Sequence, residues 1–205
     1  MPAITLLSIN IGKAVPLAIP ANPRTGATAR SVVSGIRKLP VSTLADPRPI
    51  QVGRLGLAGD EQADLTVHGG LDKALYAYPV EHYGVWRTMR KQATQIDAEL
   101  AHGSFGENLT ISGLLETDVW VGDIVRIGAV RLRITAPRAP CYKFNAVMGF
   151  AQASQMMIQS AYTGFYLEVL DPGAIGAGAT LELSPGQREM RLIELHRHKH
   201  SRDQE

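Results

Sequence analysis

The chain is 205 residues long, 45% hydrophobic and 20% charged, with 21 Lys plus Arg against 19 Asp plus Glu and a formal net charge of +2. So even a balance excludes a nucleic-acid coat, and no apolar run reaches the roughly 20 residues of a membrane-spanning helix. The single cysteine excludes an internal disulfide and any multi-cysteine zinc or iron–sulfur site.

The length fits one domain with a sizeable core. Twenty glycines and 12 prolines imply many turns, hence strands rather than a helix bundle. Residues 1–10 lack the basic region and cleavage site of a secretory signal. A lone functional thiol suits a bacterial-type cytoplasm, so a cytoplasmic location is expected.

Residues 3–11 are apolar and β-branched and read as a strand ended by Gly12. Pro16, Pro20 and Pro23 make the next stretch an extended edge or a loop. Residues 31–39 read as a second strand closed by Pro40. Between Gly56 and Gly70, Asp64, Thr66 and His68 alternate with Leu65 and Val67, which on a strand puts the polar three on one face. His68 then stands against Gly69 and Gly70, where a ligand can approach the backbone closely. It is a site candidate, although a hydrogen-bonded turn histidine would read the same way. Lys73 is either a solvated surface lysine or an anion ligand.

Residues 71–78 read as extended. Pro79 is placed to begin an amphipathic helix running to about Gln92, with His82 and the aromatic stripe read as packing. In the run from Phe105 to Ile111, Glu107 and Asn108 form either a strand-entry turn or a polar pair pointing into a cleft. Residues 119–127 and 130–134 read as a hairpin turning at Gly128–Ala129. Arg131 and Arg133 lie on one face, and Val130, Leu132 and Ile134 on the other. Residues 144–161 read as one helix with a methionine-rich core side. Strands follow at 165–170 and 180–183. A domain of residues 1–185 is expected, followed by a charged tail, 186–205, as a solvated, frayed helix carrying His196, His198 and His200.

The hairpin delivers Pro137-Arg138-Ala139-Pro140-Cys141-Tyr142-Lys143. Two prolines stiffen the backbone before the cysteine, and Arg138 and Lys143 flank it with positive charge. A thiol so placed is expected to be partly thiolate near neutrality, fit to attack electrophiles or bind soft metals. The plainer reading is a buried cysteine acting as a small hydrophobe. Cys141, Arg138, Lys143, Lys73, His68, Asn108, Glu107, Asp60 and Asp123 together suit an anionic, phosphate-bearing ligand with a soft centre. A metal with one protein ligand must take the rest of its coordination from a cofactor.

Five runs in order, residues 59–64, 67–74, 105–109, 121–123 and 137–143, resemble the MOSC domain, the family named for the C-terminal domain of molybdenum-cofactor sulfurase. The likeness is strongest to its stand-alone bacterial branch, linked to resistance against 6-hydroxylaminopurine, and covers about residues 36–183. It implies a mainly β fold: a closed, pyruvate-kinase-barrel-like β-barrel with a few peripheral α-helices.

The resemblance also implies the molybdenum cofactor (molybdopterin), not pyridoxal phosphate, with Cys141 as metal ligand. Asn108 matches an asparagine near the cofactor in relatives that reduce N-hydroxylated substrates. Those relatives carry Arg-Pro where this chain has Gly106-Glu107, so the phosphate contact falls to Lys73, Arg138 or Lys143, with Gly69 and Gly70 offering backbone. The implied activity is reduction of N-hydroxylated bases or related N-hydroxylamines, with His68, Glu107 or Asp123 relaying protons. Electrons would come from a separate flavin-type reductase, because no dinucleotide-binding glycine fingerprint is present. No nucleic-acid or membrane partner is expected, and a homodimer is allowed. The branch often continues into a small helical C-terminal domain, which is expected to be missing here.

Two other readings stay open. One is a non-redox carrier of sulfur, as a Cys141 persulfide, or of the cofactor. The other is a metal-dependent hydrolase using Asp60, Asp64, His68 and Asp123.

Overall fold

The structure, a computed structural model, describes residues 3–21, 26–63 and 69–201. In chain order its elements are β1 (Ile4–Ile11), β2 (Val15–Ile19), β3 (Arg30–Ser34), β4 (Leu39–Thr43), β5 (Ile50–Gly53), β6 (Gly56–Leu57), β7 (Leu75–Pro79), α1 (Tyr83–Thr94), β8 (Leu109–Ser112), β9 (Ile124–Ile127), β10 (Val130–Pro137), α2 (Tyr142–Met148), α3 (Ala153–Ser160), β11 (Phe165–Asp171), β12 (Gly173–Ile175), β13 (Thr180–Ser184) and α4 (Leu192–Ser201).

Seven strands pair in the order β13-β9-β10-β11-β7-β8-β1, and β1 pairs back onto β13 to close the ring. Closure removes the sheet edges that would otherwise invite aggregation. The fold is therefore the closed β-barrel with peripheral helices that the sequence leads one to expect. Strand β4 hangs on the outside of β1, and β2 and β3 form a separate ribbon. Every pairing in the ring is antiparallel except β7 with β8, where Ala77 faces Leu109. Parallel neighbours need a long crossover, and α1 lies in that connection.

The barrel interior follows the period of two. On β10, Val130, Leu132 and Ile134 are fully buried, while Arg131 and Arg133 stay outside and pair with Asp171 and Glu168 on β11. Strand β7 is buried on both faces. Its Leu75 and Ala77 join the barrel core. Its Tyr76 and Tyr78 join a second core with Trp86, Phe105, Phe144, Met148 and Met157, under the helices. Gly164 lets these layers meet: a Cβ there would fall 2.3 Å from the Ala77 carbonyl oxygen and 2.9 Å from each tyrosine ring.

Several local readings are corrected. Residues 31–39 are not one strand, because β3 stops at Ser34 and the chain leaves the sheet until Leu39. Residues 71–73 form a 3-10 turn rather than extended chain. Pro79 ends β7, and a second 3-10 turn precedes α1. The helix read over 144–161 is two helices, broken where Gly149 takes the left-handed conformation. The tail expected to fray is instead docked: Leu192 is fully buried and His196 Nε2 bonds the Ile158 carbonyl oxygen at 2.8 Å. Among the described residues, no helix is long and apolar enough to cross a membrane.

Candidate functional site

Strand β10 ends at Pro137, and the prolyl turn places Cys141 just before α2 in extended backbone, φ −129°. The Cys141 carbonyl oxygen accepts the Phe144 N–H at 2.9 Å and the Ser154 hydroxyl of α3 at 2.7 Å. Fully buried Phe144 anchors the first turn of α2. The cysteine is thus fixed by its backbone, and its side chain lines an open cleft of about 710 Å³, mouth included. It is half-buried rather than sealed, which sets aside the purely hydrophobic reading.

Arg138 lies under the same turn at 6% exposure. Its Nη1 donates to the Phe105 carbonyl oxygen at 2.5 Å, and its guanidinium lies over the Tyr76 and Phe144 rings at 4.9 and 5.0 Å. Lys143 follows on α2 and lines the cleft. Lys73 enters from the 3-10 turn opposite, with Nζ 5.8 Å from the Tyr166 ring centre. Thr135 holds that turn to β10 by donating to the Asp72 carbonyl oxygen at 2.6 Å.

Asn108 forms part of the floor. Its Nδ2 donates to Asp60 at 2.9 Å and to the Asn10 carbonyl oxygen at 3.3 Å, and its Oδ1 accepts the Tyr76 N–H at 3.2 Å. Burial pushes the Tyr76 phenol far above its usual range, so it stays protonated and adds no negative charge. Asp60 also accepts Gly12 N–H at 2.8 Å and takes both oxygens to Lys38 Nζ, at 2.5 and 2.6 Å.

Six predicted site residues therefore share one cleft: Cys141, Arg138, Lys143, Lys73, Asn108 and Asp60. Two predicted proton carriers are placed elsewhere. Glu107 is fully buried, and its carboxylate accepts N–H bonds from Gly103 and Phe105 and hydroxyl bonds from Thr110 and Tyr83. It is the clamp of its own loop and does not line the cleft. Asp123, also fully buried, accepts the N–H groups of Trp120 and Gly186 and pairs with Arg188. It pins the segment after β13 to the start of β9. Gly69 and Gly70 sit at the start of the 3-10 turn and are not in the cleft wall. His68 and Asp64 lie outside the described residues. Asp60 is committed to Lys38 and Asn108, and no cluster of three His, Cys, Asp or Glu able to hold a metal occurs among the described residues. Of the hydrolase set, Asp60 and Asp123 are taken up by other partners, and Asp64 and His68 lie outside the described residues.

Sequence reasoning missed Lys38, Tyr76 and Tyr166, all in the cleft wall. The alternation Leu75-Tyr76-Ala77-Tyr78 was a usable signal for the tyrosines, since period two sets both rings on one face. Lys38 carried no signal while its segment read as a strand.

A closed barrel with one thiol and several cations around an open cleft defines the class of protein. The MOSC domain profile matches residues 64–182. YflK of Bacillus subtilis strain 168 is 35% identical over 179 residues, 87% of this chain and 72% of that protein. YiiM of Escherichia coli K12 is 42% identical over 135 residues, 65% of this chain and 58% of that one. A protein named as a reductase in Gibberella moniliformis strain M3125 is 32% identical over 136 residues, 66% of this chain but 24% of that protein. The crystal structure of YiiM from Geobacillus stearothermophilus matches with a TM-score of 0.72 at 30% identity, covering 98% of this chain and 86% of the other. The chain belongs to the MOSC domain family.

Proposed function

We propose that the cleft binds a molybdenum cofactor through the Cys141 thiolate and that the protein reduces N-hydroxylated bases or related N-hydroxylamines. One observation carries this reading: the only sulfur nucleophile in the chain opens onto the same cleft as Arg138, Lys143 and Lys73. The donor chemistry fits the group. A single soft ligand suits a metal whose remaining ligands arrive with a pterin, and three cations suit the pterin's phosphate. When bound, the cofactor supplies two-electron redox chemistry at a metal centre. The chain's own residues do the rest. Cys141 holds the metal, Lys73, Arg138 and Lys143 neutralise and orient the phosphate, and the amide of Asn108 shapes the floor. The relative named as a reductase supports the redox side of this reading.

The net reaction converts R–NH–OH, two electrons and two protons into R–NH2 and water. The electrons come from a separate flavin-type reductase, and the chemistry takes place in the cytoplasm, where a thiol stays reduced. The test is molybdenum content and pterin fluorescence of protein made in a cofactor-competent host, wild type beside Cys141→Ala. Molybdenum present in the first and lost from the second is expected; equal amounts in both overturn the proposal.

A second reading, a carrier with a Cys141 persulfide, is favoured by the half-buried position of the cysteine in an open cleft. Turnover separates the two. A carrier shows labile sulfur or cofactor but reduces no N-hydroxylated substrate when electrons are supplied.

A further inference from the structure

Glu107 and Asp123 are committed to holding loops and His68 lies outside the described residues, so a proton source is sought among the described residues of the cleft. The floor offers a replacement. The Lys38 and Asp60 side chains are 7% and 4% exposed, and both line the cleft. A lysine ammonium has three N–H donors. Two go to the two oxygens of Asp60, and the third has no acceptor among the described residues. Its neighbours on the floor have little left to offer a ligand. Asp60 accepts from Gly12, Asn108 and twice from Lys38, and both amide hydrogens of Asn108 are taken.

Resting on the function proposed above, we infer that Lys38 is a catalytic residue: its third N–H delivers a proton to the hydroxyl oxygen of the N-hydroxylated substrate as the N–O bond breaks, with Asp60 and Asn108 as positioning residues. The flavin-type reductase supplies two electrons. One proton comes from Lys38 and one from solvent, the oxygen leaves as water, and Lys38 recovers its proton from solvent through the cleft mouth.

The electrostatics suit a donor. Burial lowers the Lys38 pKa below the ordinary lysine value, opposed by the charges of Asp60 and Glu107. Lys73, Arg138 and Lys143 share the cleft with it, as do Glu61, the Cys141 thiol and the phenols of Tyr76 and Tyr166. A cation held out of water releases a proton more readily than a solvated one. Arg138 cannot act in this way, because a guanidinium does not deprotonate.

The experiment has two arms. In the first, 13C-lysine NMR titration of the cofactor-free protein follows the Lys38 ε-carbon, which is expected to titrate below about 10.4. In the second, cofactor-loaded wild type, Lys38→Arg and the neutralised pair Lys38→Met/Asp60→Asn, which avoids a lone buried charge, are compared at saturating N-hydroxylated adenine. Wild-type kcat is expected to fall as pH rises through the Lys38 pKa. Both variants are expected to lose kcat by about 100-fold or more, to lose that alkaline limb, and to keep wild-type molybdenum content. Retention of kcat within about threefold, a molybdenum loss that accounts for the activity loss, or an ordinary Lys38 titration each overturns the role of Lys38. Molybdenum that does not depend on Cys141, or a loaded wild type without turnover, instead overturns the underlying reading and this inference with it.

Discussion

The Arg138 guanidinium carbon lies 4.9 Å from the centre of the Tyr76 ring, and this contact ties the cysteine turn to the wall of the barrel. Tyr76 faces the helical core while its strand neighbours Leu75 and Ala77 face the barrel interior. The turn that presents Cys141 therefore rests on a strand packed on both sides. Its position is set by burial and charge together rather than by loop stiffness alone.

The first prediction concerns that contact. Arg138→Leu strands the Phe105 carbonyl oxygen and removes the charge over two rings. It should cost about 2 to 4 kcal/mol. Arg138→Lys should recover only part of this, since a compact ammonium cannot both stack and reach the carbonyl. Urea unfolding of the purified variants, with midpoints read at constant slope, checks the order.

Glu107 supplies the second. If the carboxylate is the clamp of its loop, Glu107→Gln turns one acceptor into a donor facing N–H and O–H groups. A loss of about 2 to 3 kcal/mol is expected. The folded fraction should keep turnover, with its alkaline limb moved to lower pH, because the Glu107 charge no longer raises the Lys38 pKa. A stable Glu107→Gln protein that loses turnover across the whole pH range would restore the proton-relay role.

The third is a pH effect on stability. Burial lowers the pKa of both His196 and His102 below the usual histidine value. A lowered folded pKa means the unfolded chain takes up the proton first as pH falls. The stability contribution is therefore complete above about pH 6.5 and declines as the medium is acidified below that. Thermal midpoints should drop from pH 7 towards pH 5. His196→Gln, which can still donate to the Ile158 carbonyl, should flatten part of that slope and leave the share of His102.

The fourth tests the double-faced strand. Gly164 has φ +61°, and a Cβ there would fall 2.3 Å from the Ala77 oxygen. Gly164→Ala should destabilise by about 2 kcal/mol or more, through both the strained backbone and the overlap. Equilibrium unfolding measures it. A neutral result would mean that β7 and β11 can separate without cost.

Much of the barrel was legible because its strands announce themselves locally. In the β9–β10 hairpin the alternation of Arg131 and Arg133 with Val130, Leu132 and Ile134 states which face is buried before any partner is known. The candidate site was legible where charge and rigidity crowd around one unusual residue, so Cys141, Arg138 and Lys143 were found together. Glu107 and Asp123 were misplaced for a physical reason. A carboxylate beside a glycine looks the same in sequence whether it binds backbone N–H groups or faces a ligand. The break between β3 and β4 was hidden as well. It depends on close backbone approaches: a Cβ on Gly35 would fall 2.2 Å from the Glu61 oxygen, and one on Gly12 would fall 2.3 Å from the Arg37 oxygen. Those approaches turn the chain out of the sheet, and that turn brings Lys38 to the cleft floor.

Sequence alone determined the strand-rich class, the family, and the thiol braced by prolines and cations, since each depends on residues close together in the chain. Tertiary structure decided which polar groups face the cleft and which are used up in holding loops. A side chain's remaining hydrogen-bonding capacity is known only once all its neighbours are in place, and those of Lys38, Asp60 and Asn108 come from segments as far as 98 residues apart in the chain.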